Sequence, residues 1–161
     1  MDKTQQLHEQ HEISIAEQRQ KSMPYSEANP SEVNEVFFIY AERKVGTYHP
    51  TSPNSGKWLI FVTTDKVDEV WKQIKQATEE GLLGGSAKVA TALPNPNASD
   101  PNKKVICVYT YDWTDEEDVM RVRAVLHDLG HTQKLAYKSD QSTGEGQYQA
   151  RGHRRISKYY L

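Results

Sequence analysis

The chain has 161 residues, with 20 basic and 22 acidic side chains for a formal charge of −2. That length suits one domain with an ordinary core, and the near balance of charge excludes a generic nucleic-acid coat or a binder of acidic membranes. A single cysteine, Cys107, excludes an internal disulfide, and no apolar run approaches the roughly 18 to 20 residues of a membrane span.

Residues 1–31 are rich in Gln, Glu and Ser and predict a mobile polar N-terminal tail or a loosely docked helix, followed by one α/β domain over 32–161. The start also lacks the basic and apolar regions of a secretory signal, so the expected location is cytoplasmic. Glu35 to Glu42 reads as a strand, Tyr48 to Gly56 as a loop, and Lys57 to Thr64 as a strand buried on both faces. Asp65 is placed to cap a helix whose stripe is Val67, Val70, Trp71, Ile74 and Ala77, with Gly81 ending it. Ala87 to Leu93 and Lys104 to Tyr111 are strands separated by a proline-rich loop. Thr114 and Glu117 form a capping box for a helix lined by Val119, Val122, Leu126 and Leu129 and closed by Gly130. Strands at Gln133 to Lys138 and Arg155 to Tyr160 complete the order ββαββαββ. That recurrence predicts an α+β fold, a single mixed or antiparallel sheet with both helices on one face and the other partly open for a ligand.

Charge is unevenly spread: residues 1–35 carry a net −4 and residues 130–161 a net +4. In the second segment Lys138, Arg151, Arg154, Arg155 and Lys158 are the donors a phosphate needs, and Gly144, Gly146 and Gly152 allow close backbone approach. A solvated basic surface is the plainer reading of the same residues. Lys88 lies between Ala87 and Val89 in a strand, so its ammonium either lines a cavity, where desolvation suits a general base, or reaches water from a sheet edge. Arg123 is expected to pair with Glu116 or Asp128, and Arg121 to reach the sheet rim. Trp71 falls on the helical stripe and reads as core, whereas Trp58 and Trp113 are either packing residues or platforms for a base. No cofactor is expected, because the histidines lack metal-ligand spacing and GLLGGSAK lacks the spacings of nucleotide loops.

The segments VICVYTYDWTDEEDVMRVRAVLHDLG and LAYKSDQSTGEGQY, with GKWLIF and GSAKVAT before them, resemble the basophilic-leukaemia-expressed protein family between Gly56 and Tyr160. The spacing of Lys138, Asp140, Thr143, Gly146 and Tyr148 is the most specific part. That resemblance implies a curved sheet backed by helices, like the cap-binding translation initiation factor 4E. Lys57-Trp58, the helix from Lys66, Lys88-Val89, the Tyr109 strand and the Gly144 to Arg155 segment are also similar in order to bacterial phosphothreonine lyases, including lyase domains of lanthipeptide synthetases. This likeness implies a phospho-ligand-binding protein of phosphothreonine-lyase type, its partner a phosphorylated peptide. Lys88 would be the base, and Lys57, Trp58, Lys138, Asp140, Thr143, Arg151, Arg154 and Arg155 would line the ligand site. The place of the acid histidine in those enzymes is taken by Trp58, leaving His131, His153 or Tyr148 to protonate the leaving phosphate. The alternatives are a non-catalytic binder of a nucleotide or RNA end, and an interaction module with no small ligand.

Overall fold

Strict alternation along each strand divides the side chains of this chain between two sheet faces. The computed structural model describes residues 3–96, 98, 100–141 and 157–161. Six strands, β1 (Phe38–Glu42), β2 (Gly56–Thr63), β3 (Ser86–Ala90), β4 (Lys103–Thr110), β5 (Ala136–Ser139) and β6 (Ser157–Tyr160), form one sheet in the order β1-β3-β4-β2-β5-β6. Every pairing is antiparallel. Among the described residues three helices accompany it: α1 (Lys3–Ser22), α2 (Val67–Glu79) and α3 (Glu116–Asp128).

Ile39, Trp58, Ile60, Ala87, Val89, Ile106, Val108 and Tyr137 share one buried cluster with Trp71 and Ile74 of α2 and Val119, Val122 and Leu126 of α3. Both helices therefore cover the same sheet face, as their apolar stripes require. Gly56 makes room there for Tyr137, because a Cβ would stand 2.5 Å from the ring, and the Tyr137 hydroxyl bonds Thr110 Oγ1 at 2.6 Å. The intervening residues Tyr40, Lys57, Leu59, Lys88, Cys107, Tyr109 and Lys138 turn to the second face. β2 is buried on both faces only as far as Ile60; Phe61 and Thr63 are exposed.

The N-terminal segment takes the helical form that its composition left open beside a tail. Residues 3–22 form α1, whose C-terminal end docks on the second face: Tyr40 donates to Gln18 Oε1 at 3.0 Å and Arg19 to Ser86 Oγ at 3.0 Å. Two 3-10 turns, Met23–Tyr25 and Pro30–Glu32, then carry the chain past edge strand β1 to the helical layer. There Val33 joins the core, the Ser31 amide donates to Asp68 at 2.9 Å, and Lys75 pairs with Glu27 at 2.8 Å.

Helix ends follow the glycines but not the expected caps. Gly81 (φ +79°) and Gly130 (φ +107°) each close a Schellman motif, with Leu82 N donating to Ala77 O and His131 N to Leu126 O at 3.0 Å. At the start of α3 the cap is Asp115, which accepts from Asp118 N at 3.2 Å, while the Thr114 hydroxyl is turned to Asp112. The N-cap is thus displaced by one residue, a carboxylate taking the place of the neighbouring hydroxyl, and no reciprocal bond reaches the Asp115 amide, which donates to Asp112 O. Asp65 does not cap α2 either, since the cap position is Lys66 with no side-chain bond.

Candidate functional site

The register of the second face brings residues far apart in sequence into two adjacent rows. Lys57 stands opposite Tyr109 on one side and Lys138 on the other. Lys88 stands opposite Tyr40 and Cys107, and Cys107 opposite Leu59. Strands lie about 4.8 Å apart, so Lys57 and Lys138 are direct neighbours and Lys88 lies two strands, about 10 Å, from Lys57 on the same face.

Their environments differ. Lys57 Nζ lies 2.8 Å from Asp140 Oδ1, and the Ser55 hydroxyl donates to Asp140 Oδ2 at 2.6 Å. Both members of this ion pair are buried, with side chains 7% and 8% exposed. Asp140 is anchored further by its amide, which donates to Ser55 O at 2.9 Å. Lys88 has no carboxylate or hydrogen-bond partner among the described residues. Its Nζ lies 4.0 Å from the centre of the Phe38 ring and 5.9 Å from that of Tyr109. Burial lowers the Lys88 pKa, and the Lys57 and Arg19 charges press the same way against Cys107 and Asp140. Burial, and then Lys57, also lower that of Lys138. The Cys107 thiol and the Tyr109 phenol are pushed up by burial, and Tyr40 rises to about 12, so these three groups stay protonated near neutrality. The patch offers ammonium donors to an anion, and desolvation favours the basic form of two of its amines, Lys88 and Lys138.

Residues 4–143 of the sequence match the family of basophilic leukemia-expressed protein Bles03. The chain belongs to that family. The match reaches back into the residues of α1, well before the Gly56 boundary of the motif likeness.

In this Bles03-family chain the structure collects Lys57, Lys88, Lys138 and Asp140 and separates Trp58 and His131 from them. Trp58 points to the helical face, where it is fully buried and its Nε1 donates to Val119 O at 3.1 Å. Its even register with Ile60 places it in the core, away from any ligand on the lysine face. His131 is also absent from that face: it follows α3 and its Nε2 hydrogen-bonds Gln73 Oε1 of α2 at 2.9 Å. Thr143, Tyr148, Arg151, His153, Arg154 and Arg155 lie outside the described residues. Trp113 is half-buried, with Lys158 Nζ 4.2 Å above its ring and its carbonyl accepting from Tyr159 at 2.7 Å. Arg123 has no Asp or Glu partner among the described residues; it donates to the main-chain oxygens of Leu161, His131 and Gln133. Arg121 bonds Asp118 and the Leu82 and Leu83 carbonyls. Among the described residues no group of His, Cys, Asp and Glu could hold a metal ion, and no helix is long and apolar enough to cross a membrane.

Phe38, Tyr40 and Tyr109 were not singled out as site residues, although they share the patch. Period-two parity was the available signal, since Phe38 and Tyr40 alternate with core residue Ile39, and Tyr109 with Val108.

Proposed function

We propose that this face binds a phosphorylated ligand and that its chemistry is elimination of phosphate from phosphothreonine or phosphoserine in a peptide. The observation that carries the reading is the placing of Lys57, Lys88 and Lys138 on one sheet face, where Asp140 meets the Lys57 charge and neither Lys88 nor Lys138 has an acidic or hydrogen-bonding partner among the described residues. In the elimination, neutral Lys88 takes the Cα proton, the released electron pair forms the Cα–Cβ double bond, and the Cβ–O bond breaks to release phosphate. Lys57 and Lys138 would neutralise the phosphate oxygens. We also read the antiparallel sheet with two helices on one face as a relative of the initiation-factor-4E arrangement, and place the protein's work in the cytosol.

The test is incubation of the purified chain with a phosphothreonine peptide, followed by mass spectrometry. A dehydrated peptide is expected from the native chain and none from Lys88→Arg. Binding without product would reduce the protein to a phosphate receptor, and no binding would end the reading. A nucleotide or RNA end is the second candidate for the same face, favoured by the Phe38 and Tyr109 rings beside Lys88. Competition of a nucleotide against the phosphopeptide separates the two.

A further inference from the structure

Arg19 is the one residue of α1 that brings a guanidinium to the lysine face. It donates to Ser86 Oγ at 3.0 Å, and Ser86 lies two residues from Lys88 on the same side of β3, about 6.6 Å along the strand. Arg19 Cζ also stands 5.4 Å from the centre of the Tyr40 ring, and Tyr40 is the β1 partner of Lys88. Two independent contacts thus fix the guanidinium beside Lys88. Tyr40 is itself held by its bond to Gln18, the residue before Arg19.

The remaining contacts of Arg19 are weak or missing. Its ion pair with Glu42 is long, at 3.4 Å, and the Glu42 side chain is 62% exposed, so water and salt screen it. Its Nε is buried without a hydrogen-bond partner, a state shared among the described residues only with Trp71 Nε1. An unmet buried donor on a charged group is costly, and an anion is the partner that satisfies it best. A helix that served only to cover the sheet would not need an arginine with an unmet donor at this position.

We propose that α1 is part of the ligand site, with Arg19 forming a second anion-binding position beside the lysine cluster and exchanging Glu42 for an anionic oxygen of the phosphorylated ligand. This rests on the phospho-ligand reading of the face. The ligand is then gripped from the N-terminal helix as well as from the sheet.

The experiment measures binding of a phosphothreonine peptide to the full chain by calorimetry, alongside thermal unfolding. Arg19→Ala is expected to weaken binding at least tenfold with little change in Tm, and Arg19→Lys to recover part of the loss. Glu42→Gln, which removes the competing carboxylate and keeps Arg19, is expected to tighten binding about threefold, as loss of a modest exposed ion pair allows. If Arg19 only staples α1 to the sheet, Glu42→Gln and Arg19→Ala would both lower Tm and Glu42→Gln would not tighten binding; that result overturns the proposal even where Arg19→Ala unfolds. If the native chain binds and Lys88→Ala weakens it while Arg19→Ala does not, this inference fails and the lysine site stands. If the native chain does not bind, both fail.

Discussion

Lys88 occupies a position that a core-forming side chain would fill at less cost. Its amine faces the Phe38 and Tyr109 rings, and burial weakens its hold on a proton. Removing water from a cation is repaid only by a well-placed partner, and cation–π contacts repay part of it. Replacing Lys88 by Met, which keeps the length and discards the charge, is expected to raise stability by about 1 kcal/mol while abolishing phosphopeptide turnover. Urea unfolding and the mass-spectrometric assay measure the two effects on the same sample. Lys57 contrasts with it. Its charge is met by Asp140 at 2.8 Å, an ion pair that no spacing in the sequence reveals. The ion pair spans β2 and the end of β5, and only their adjacency creates it.

Helix ends were legible where a glycine was required and misread where several polar residues competed. Gly81 and Gly130 both adopt positive φ, which a side-chain-bearing residue avoids. The cap of α3 fell to Asp115 because its carboxylate reaches the Asp118 amide, while Thr114 is engaged by Asp112. Beyond Gly130, His131 joins α3 to α2 through Gln73, whose Nε2 also donates to Leu129 O at 2.7 Å. Burial, and then the Arg123 charge, lower the His131 pKa below its ordinary 6.5. The unfolded chain therefore takes up the proton first as pH falls, and stability present above pH 6.5 is lost as pH drops below it towards the folded value. His131→Gln keeps a polar group opposite Gln73 and removes that slope. Unfolding curves at about pH 7.5 and about pH 5 should converge in the variant and diverge in the native chain.

At the scale of the whole molecule Arg123 ties α3 to β6 and to the segment before β5. Arg123 donates to Leu161 O at 3.0 Å, His131 O at 3.0 Å and Gln133 O at 2.8 Å, while Leu135 and Leu161 exchange backbone bonds of 2.7 and 3.0 Å. Arg123→Ala leaves three main-chain oxygens without this donor and is expected to cost about 1 to 3 kcal/mol. Hydrogen exchange should then quicken in β5 and β6 and stay slow in β3 and β4. No sequence pattern announced this role; acidic neighbours of Arg123 on α3 suggested ion pairs, yet the main-chain oxygens of a returning chain end are the better-placed acceptors. The sequence by itself determined the approximate strands, the two core helices and that Lys88 lies in a strand between the apolar Ala87 and Val89. Only the tertiary structure decided that β3, β4, β2 and β5 are neighbours, that Trp58 belongs to the core, and that α1 brings Arg19 to the same patch. Apolar patterning is a local property of the sequence, whereas the choice of strand partner depends on packing between residues distant in the chain.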